Sequence, residues 1–275
     1  MKKPGIYADI DIDAYHADDG ISSSGISLIL DCPKRYWWEY IAVREKEKKG
    51  RAFDLGSALH TSVLEPKEFN SRFYLLRDSF DMRTKAGKEA FAKIEEETQG
   101  LTIIKGADCE ILLGMDMAVS NHPIWEKIKI ESGNVEHSVY WDAGIYSTRL
   151  RARPDFYNDS IIIDLKTTDS IASFSKSVYN YGYHRQAAMQ IDGLEACDGN
   201  KRHFAFFVVE KKAPYLTACF TLDEQAIEQG RAEYLEAAAT YSECLRFNSW
   251  PGYDEKFQLL KLPKWAVKRE EEEII

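Results

Sequence analysis

Three charged residues stand at a spacing that suits metal-assisted hydrolysis. Arg153-Pro154-Asp155 is followed, after eight residues, by Asp164-Leu165-Lys166. Side chains two apart on a strand share a face, so Asp164 and Lys166 point the same way. The segment opens with Ile161-Ile162-Ile163, which predicts a central strand covered on both faces. Charged groups on such a strand need partners or a metal. Asp155 ends the preceding strand, and a tight turn returns it to face Asp164. Two facing carboxylates repel unless a cation lies between them, and oxygen ligands suit Mg2+ or Mn2+. A lysine beside such an ion fits phosphodiester hydrolysis. The ion lowers the pKa of a bound water, and Lys166 orients that water or stabilises the pentavalent transition state. The competing explanation is a surface ion-pair cluster, which accounts for most isolated D-x-K triplets. The order of the two motifs, the apolar strand and the hairpin spacing together favour a site.

Two further residues could complete it. Glu136 lies in an alternating stretch with Ser138 and Tyr140 on its face, and is either a metal ligand or an exposed strand glutamate. His60 ends the segment DLGSALH on an apolar helix, and is either a core histidine or a ligand.

The elements that must position these groups are legible from periodicity. Residues 22–43 predict two helices, the first capped by serines and the second started by Pro33. Residues 52–64, 84–98 and 107–120 predict three more. Strands are expected at 135–141, 145–153, 161–166, 203–210 and 215–222. Helices are expected at 171–193 and 223–247, the latter with an apolar stripe from Ile227 to Leu245. The result is one α/β domain: a mainly helical portion over 1–130, a mixed catalytic sheet over 131–222 flanked by helices, and a C-terminal helix and tail over 223–275.

Composition excludes several classes. The 275 residues are 44% apolar and 29% charged, which is ordinary for a globular chain and unlike a disordered one. Mean hydropathy is −0.42, and no run approaches the ~20 apolar residues of a membrane span. The start lacks the apolar stretch of a secretory signal. The five cysteines are widely spaced with no CxxC pair, so neither zinc nor an iron–sulfur cluster is expected, and reduced thiols fit a cytoplasmic chain. Net charge is −9, so DNA binding must rest on local basic groups. Arg149, Arg151 and Arg153 form one strand face leading to Asp155. Arg44–Arg51 and Arg83, Lys85 and Lys88 are two further clusters.

The segments DLGSALH, RARPD, IIDLKTT and YHRQA resemble the RecB-like branch of the PD-(D/E)xK nucleases. More closely they resemble the RecE-type exodeoxyribonuclease VIII nuclease domains. That likeness extends to GIYADIDIDAYHADDGISSSG, to LEPKEFNSRF and to WPGY with LPKWA. The resemblance implies a restriction-endonuclease-like core with helical N-terminal additions. It implies Asp155, Asp164, Glu136 and His60 as metal-binding residues, with Leu165 among them, and Lys166 as the catalytic lysine. Gln186 matches the helix glutamine that contacts substrate or organises the site. The family's Q-x-x-x-Y ends here in Gln190, so the aromatic role is absent or moved to Tyr183.

The implied activity is Mg2+-dependent degradation of one strand of linear duplex DNA, 5′ to 3′, by a ring-shaped trimer or tetramer. The 3′ tails would pass to a RecT-like annealing protein in a bacterial cell, with phage or prophage origin common among such enzymes. The rivals are an endonuclease or nickase of the RecB/Cas-associated kind, a non-catalytic DNA-end-binding module, and an interaction protein with a buried polar cluster.

Overall fold

A computed structural model describes residues 2–42, 51–77, 80–81, 83–130, 133–254, 256–257 and 259–262, with backbone only for 51–54 and 129–130. The Arg44–Arg51 cluster, apart from the backbone of Arg51, lies outside these residues. So does the end of the tail from residue 263.

The chain begins with β1 (Gly5–Tyr7), α1 (Ile12–Ala17), α2 (Ser23–Asp31) and α3 (Pro33–Tyr36), which runs into a π-helical turn at Trp37–Ala42. Then come α4 (Arg51–Leu64), α5 (Phe69–Arg72), β2 (Phe73–Leu76), α6 (Lys85–Glu97), β3 (Thr102–Lys105), α7 (Ala107–Ser120) and α8 (Pro123–Ile130). The central part holds β4 (Asn134–Val135), β5 (Ser138–Ala143), β6 (Thr148–Ala152), β7 (Phe156–Tyr157) and β8 (Ile161–Thr168). Next are α9 (Phe174–Asn180), α10 (Tyr183–Asp198), β9 (His203–Glu210), β10 (Thr217–Thr221) and α11 (Glu224–Phe247).

The expected mixed sheet is present as five strands in the order β10-β9-β8-β7-β4. Only the β8–β9 pair is parallel, as a crossover through α9 and α10 requires. β8 is central, which explains its apolar opening. Its alternate residues feed two cores. Ile162 packs with Phe206, Val208 and the buried faces of α10 and α11. Ile163 and Leu165 pack on the other face with Leu55, Leu59, Leu112 and Met115. Helices on both faces are the ordinary solution for a strand apolar on both sides.

Several expectations need correction. The β5–β6 hairpin joins β1 in a separate three-stranded sheet. The N-terminal portion also contains a parallel pair, β2–β3. The expected strand 135–141 breaks at Glu136, whose φ is +55°. The expected helix 171–193 breaks at Gly182, whose φ of +67° favours glycine. Among the described residues, no helix is long and apolar enough to cross a membrane.

α10 and α11 approach closely because glycine faces helix backbone. A Cβ at Gly230 would lie 2.4 Å from the His184 carbonyl oxygen. Backbone cannot yield as a side chain can, so Gly230→Ala should cost about 1–3 kcal/mol. A denaturant midpoint equal to the parent's would refute that packing.

Candidate active site

β7 supplies only two ladder residues, pairing Phe156 with Ile163 and Tyr157 with Ile162. β8 continues to Thr168, so its second half is open on the β7 side. Asp155 stands at that opening. Its Oδ2 accepts the Leu165 N–H at 2.6 Å, taking the place of a ladder bond. The turn expected from the sequence therefore delivers Asp155 to the D-x-K segment.

Asp155 gathers two partners from elsewhere. His60, from the middle of α4, places Nδ1 3.4 Å from Asp155 Oδ1. Glu136 donates its main-chain N–H to the Asp155 carbonyl at 3.2 Å. The left-handed backbone at Glu136 accompanies an inward-turned carboxylate, and strained backbone of this kind clusters at functional sites. One donor atom each from His60, Glu136 and Asp155 lies within 4.8 Å of the others.

The electrostatics of this trio fit a cation. Burial first, and repulsion from Asp155 second, push the Glu136 carboxyl up to about 7. Arg153, whose Nε lies 2.8 Å from Glu136 Oε2, only partly offsets this. Burial opposes charge on His60, but Asp155 outweighs it and carries the imidazole up to about 9. Burial also opposes charge on Asp155. His60, Lys166 and the Leu165 N–H together hold its carboxyl below the usual range. A buried carboxylate, a half-buried carboxylate and an imidazole, converging and mutually perturbed, form a mixed N/O donor set that can hold a divalent ion.

Asp164 stands apart from the trio. It is fully buried under α10, where Gln186 Nε2 donates to Oδ1 at 2.7 Å and Gln190 Nε2 at 3.4 Å. Its Oδ2 is ion-paired with Lys166 without hydrogen-bond geometry. Burial is the main force raising its carboxyl. In this arrangement Asp164 anchors Lys166 and the two glutamines rather than joining the donor trio. The Leu165 side chain lies in the opposite core, so only its main chain reaches the site, and its N–H is taken by Asp155. Lys166 is held between Asp164 and the Tyr183 ring, 4.8 Å from the centroid. The sequence left the missing aromatic at 190 open, and Tyr183 supplies a ring against the lysine from the first residue of the same helix.

The arginine face differs from the expectation. Arg151 is 2% exposed and donates to the carbonyls of Tyr15, His16 and Asp18, so it ties the N-terminal segment to β6. Arg149 is paired with Asp142. Arg153 is committed to Glu136, Ser138 and the Ile10 carbonyl. Arg151 thus has a structural role, and the contacts that hold the N-terminal segment also fix Arg151 and Arg153 on the wall of a cavity beside the trio. Of the third cluster, Arg83 pairs with Asp81 and Lys85 with Glu89 on the surface.

A cavity of about 450 Å3 opens beside the trio. Glu136, Asp155, Gln186 and Gln190 line it, together with Tyr181 and Tyr183. Ser22–Ser24, read from the sequence only as helix caps, also line it. Only folding of the N-terminal segment over β6 brings them there, and no sequence signal marks that proximity.

Residues 22–263 match a family described as a PDDEXK-like domain of unknown function. No curated protein matches the chain. Among solved structures, an exonuclease candidate from Eubacterium rectale aligns over 93% of this chain and 96% of its own, with TM-score 0.64 and 15% identity. An alkaline exonuclease from Laribacter hongkongensis aligns over 83% of this chain and 91% of its own, with TM-score 0.32 and 14% identity. A phage-related exonuclease from Haemophilus somnus aligns over 84% and 96%, with TM-score 0.30 and 14% identity. At such identities the Eubacterium protein establishes shared fold alone. With 242 contiguous residues matched, from Ser22 to Pro263, the chain belongs to the PDDEXK-like family DUF3799.

Proposed function

We propose that the chain is a Mg2+-dependent exonuclease that degrades one strand of linear duplex DNA. One observation carries this reading: an aspartate, a glutamate and a histidine converge beside an ion-paired lysine at the open end of a central strand. A surface ion-pair cluster needs none of that convergence. His60, Glu136 and Asp155 would hold the ion. When bound, it supplies an acidified water and neutralises charge on the scissile phosphate. Mn2+ suits the same donors.

The chain's own residues supply the remainder. Lys166, kept as an ammonium by Asp164 and Asp155 against the cost of burial, is a fixed positive charge for the transition state. Gln186 and Gln190 hold Asp164, and Asp164 holds Lys166. Arg153 sets the position of Glu136. The Ser22–Ser24 hydroxyls and the first turn of α2 lie on the same cavity, where N–H groups suit a phosphate oxygen.

Attack from an end, 5′-to-3′ polarity, a ring of three or four copies and transfer of the 3′ tail to a RecT-like annealing protein follow from the RecE resemblance. The Eubacterium rectale protein, which shares the fold, is itself described as an exonuclease candidate. With a net charge of −9, the chain also suits a mode in which DNA is confined by assembly rather than by a broad basic face.

Linear duplexes labelled at one end, with or without a 5′ phosphate, test the reading beside closed circular DNA. Mg2+ should give progressive loss of one strand from linear DNA, circular DNA should survive, and chelation should stop cleavage. Nicking of closed circles would replace the exonuclease with an endonuclease. Binding of ends without cleavage in Mg2+ or Mn2+ would leave only an end-binding module.

A further inference from the structure

The turn between α9 and α10 carries two exposed aromatic rings. Tyr179 is 69% and Tyr181 67% exposed against the described residues. Single exposed tyrosines are common and need no explanation. Three features set Tyr181 apart.

The turn is held rigidly. The Tyr181 N–H donates to the Ser177 carbonyl and the Gly182 N–H to that of Tyr179, at 3.0 and 3.1 Å. Gly182 has a left-handed backbone, and a Cβ there would meet the Arg185 guanidinium at 2.1 Å. Arg185 is itself paired with Glu233 of α11 and donates to Ser27. The rings are thus displayed from a turn braced by two helices.

Tyr181 also lines the cavity of the candidate site. Its ring centroid lies 5.6 Å from that of Tyr183, with the planes inclined at 37°. The Tyr183 ring in turn carries Lys166 at 4.8 Å. Two aromatic steps therefore lead from the exposed turn to the lysine. A stacked strand advances about 3.4 Å per nucleotide, so this path covers only a few nucleotides.

An open aromatic face beside a phosphodiester-cleaving centre has an evident ligand class. Every base has a π-face, and stacking on tyrosine is tolerant of sequence. We infer that Tyr181, backed by Tyr183, is a stacking subsite for an unpaired nucleobase of the substrate strand close to the cleaved bond. This deepens the nuclease reading and rests on it. The subsite would hold the strand apart from its complement and fix its phosphates against Lys166. Tyr181 is in this sense a positioning residue, acting through the substrate.

The test uses the full chain and a single-stranded oligonucleotide carrying 2-aminopurine near its 5′ end, in Ca2+ to slow cleavage. Stacking on Tyr181 should change the probe's fluorescence on binding. Tyr181→Ala should weaken binding about 5- to 150-fold and abolish the change, the range for loss of one stacked base. Tyr181→Phe should retain both. An abasic residue at the probe position should weaken the parent but not Tyr181→Ala. In Mg2+, Tyr181→Ala should raise KM more than it lowers kcat. Equal binding and an equal fluorescence change in Tyr181→Ala would overturn the subsite while leaving the nuclease reading intact. A parent protein that binds no such strand would also overturn the subsite, whereas the nuclease reading falls only if linear duplexes resist cleavage in Mg2+ and Mn2+.

Discussion

Lys166→Ala should lower the cleavage rate about 10³-fold and leave duplex affinity, measured in Ca2+, within a few-fold of the parent. The scale is that of removing one preorganised donor from a transition state, ~10²–10³-fold or slightly more where the donor is charged. Lys166 is only 15% exposed and touches Asp164 and Tyr183. Burial alone would favour a neutral amine. Asp164 and Asp155 reverse that and hold the group above its ordinary value. Lys166 is therefore a permanent ammonium at working pH, which suits charge stabilisation and water orientation rather than proton abstraction. Arginine should not restore activity, because a planar fork does not fit the space of a compact ammonium. Both Lys166→Ala and Lys166→Met leave Asp164 buried without its cation, and Lys166→Met, which keeps the packed stem, is the companion variant that removes the charge without a cavity. Both should bind DNA. Undiminished cleavage by either would remove Lys166 from the mechanism.

Much of this site was legible before any coordinates, and the reason is local. Asp164 and Lys166 are two residues apart on a strand whose apolar opening marks it as central, and strand periodicity fixes their shared face. Asp155 is separated from them by a short hairpin, so its return is nearly dictated by chain length. His60 and Glu136 were placed by resemblance, and the fold brings both to Asp155. Periodicity missed what Glu136 does locally. Alternation in 135–141 describes a strand, whereas a left-handed residue there ends β4 and turns the carboxylate inward. The partners of the arginines were not legible for a different reason. Alternation put Arg149, Arg151 and Arg153 on one face correctly, but nothing in a single strand reveals that the segment around Tyr15–Asp18 covers that face and takes up the Arg151 guanidinium. Asp164 shows the same limit. The pattern gives its direction, while its burial beneath Gln186 and Gln190 depends on how α10 docks.

Asp155→Asn should weaken ion binding at least ~10–100-fold and lower cleavage with it. Three contacts meet at this residue: His60 on one oxygen, the Leu165 N–H on the other, and the Glu136 N–H on its carbonyl. The amide keeps an acceptor for Leu165, so the fold should survive with a modest change in Tm. What is lost is the negative charge shared with Glu136. Removing an outer-shell partner typically weakens a metal site ~10–100-fold, and removing a ligand should cost at least that. Protons supply a second readout. Without an ion, His60 is raised to about 9 and Glu136 to about 7. An ion must displace the His60 proton at any pH below about 9, and the Glu136 proton below about 7. Affinity should therefore rise with pH through this window, and binding near pH 7.5 should release protons. The Asp155 charge contributes to raising both groups, so Asp155→Asn should move the whole rise to lower pH while weakening the plateau. Calorimetry in two buffers of different ionisation heat measures the released protons directly. Tight Mg2+ or Mn2+ binding by Asp155→Asn, with the parent's pH profile, would show that the ion sits elsewhere.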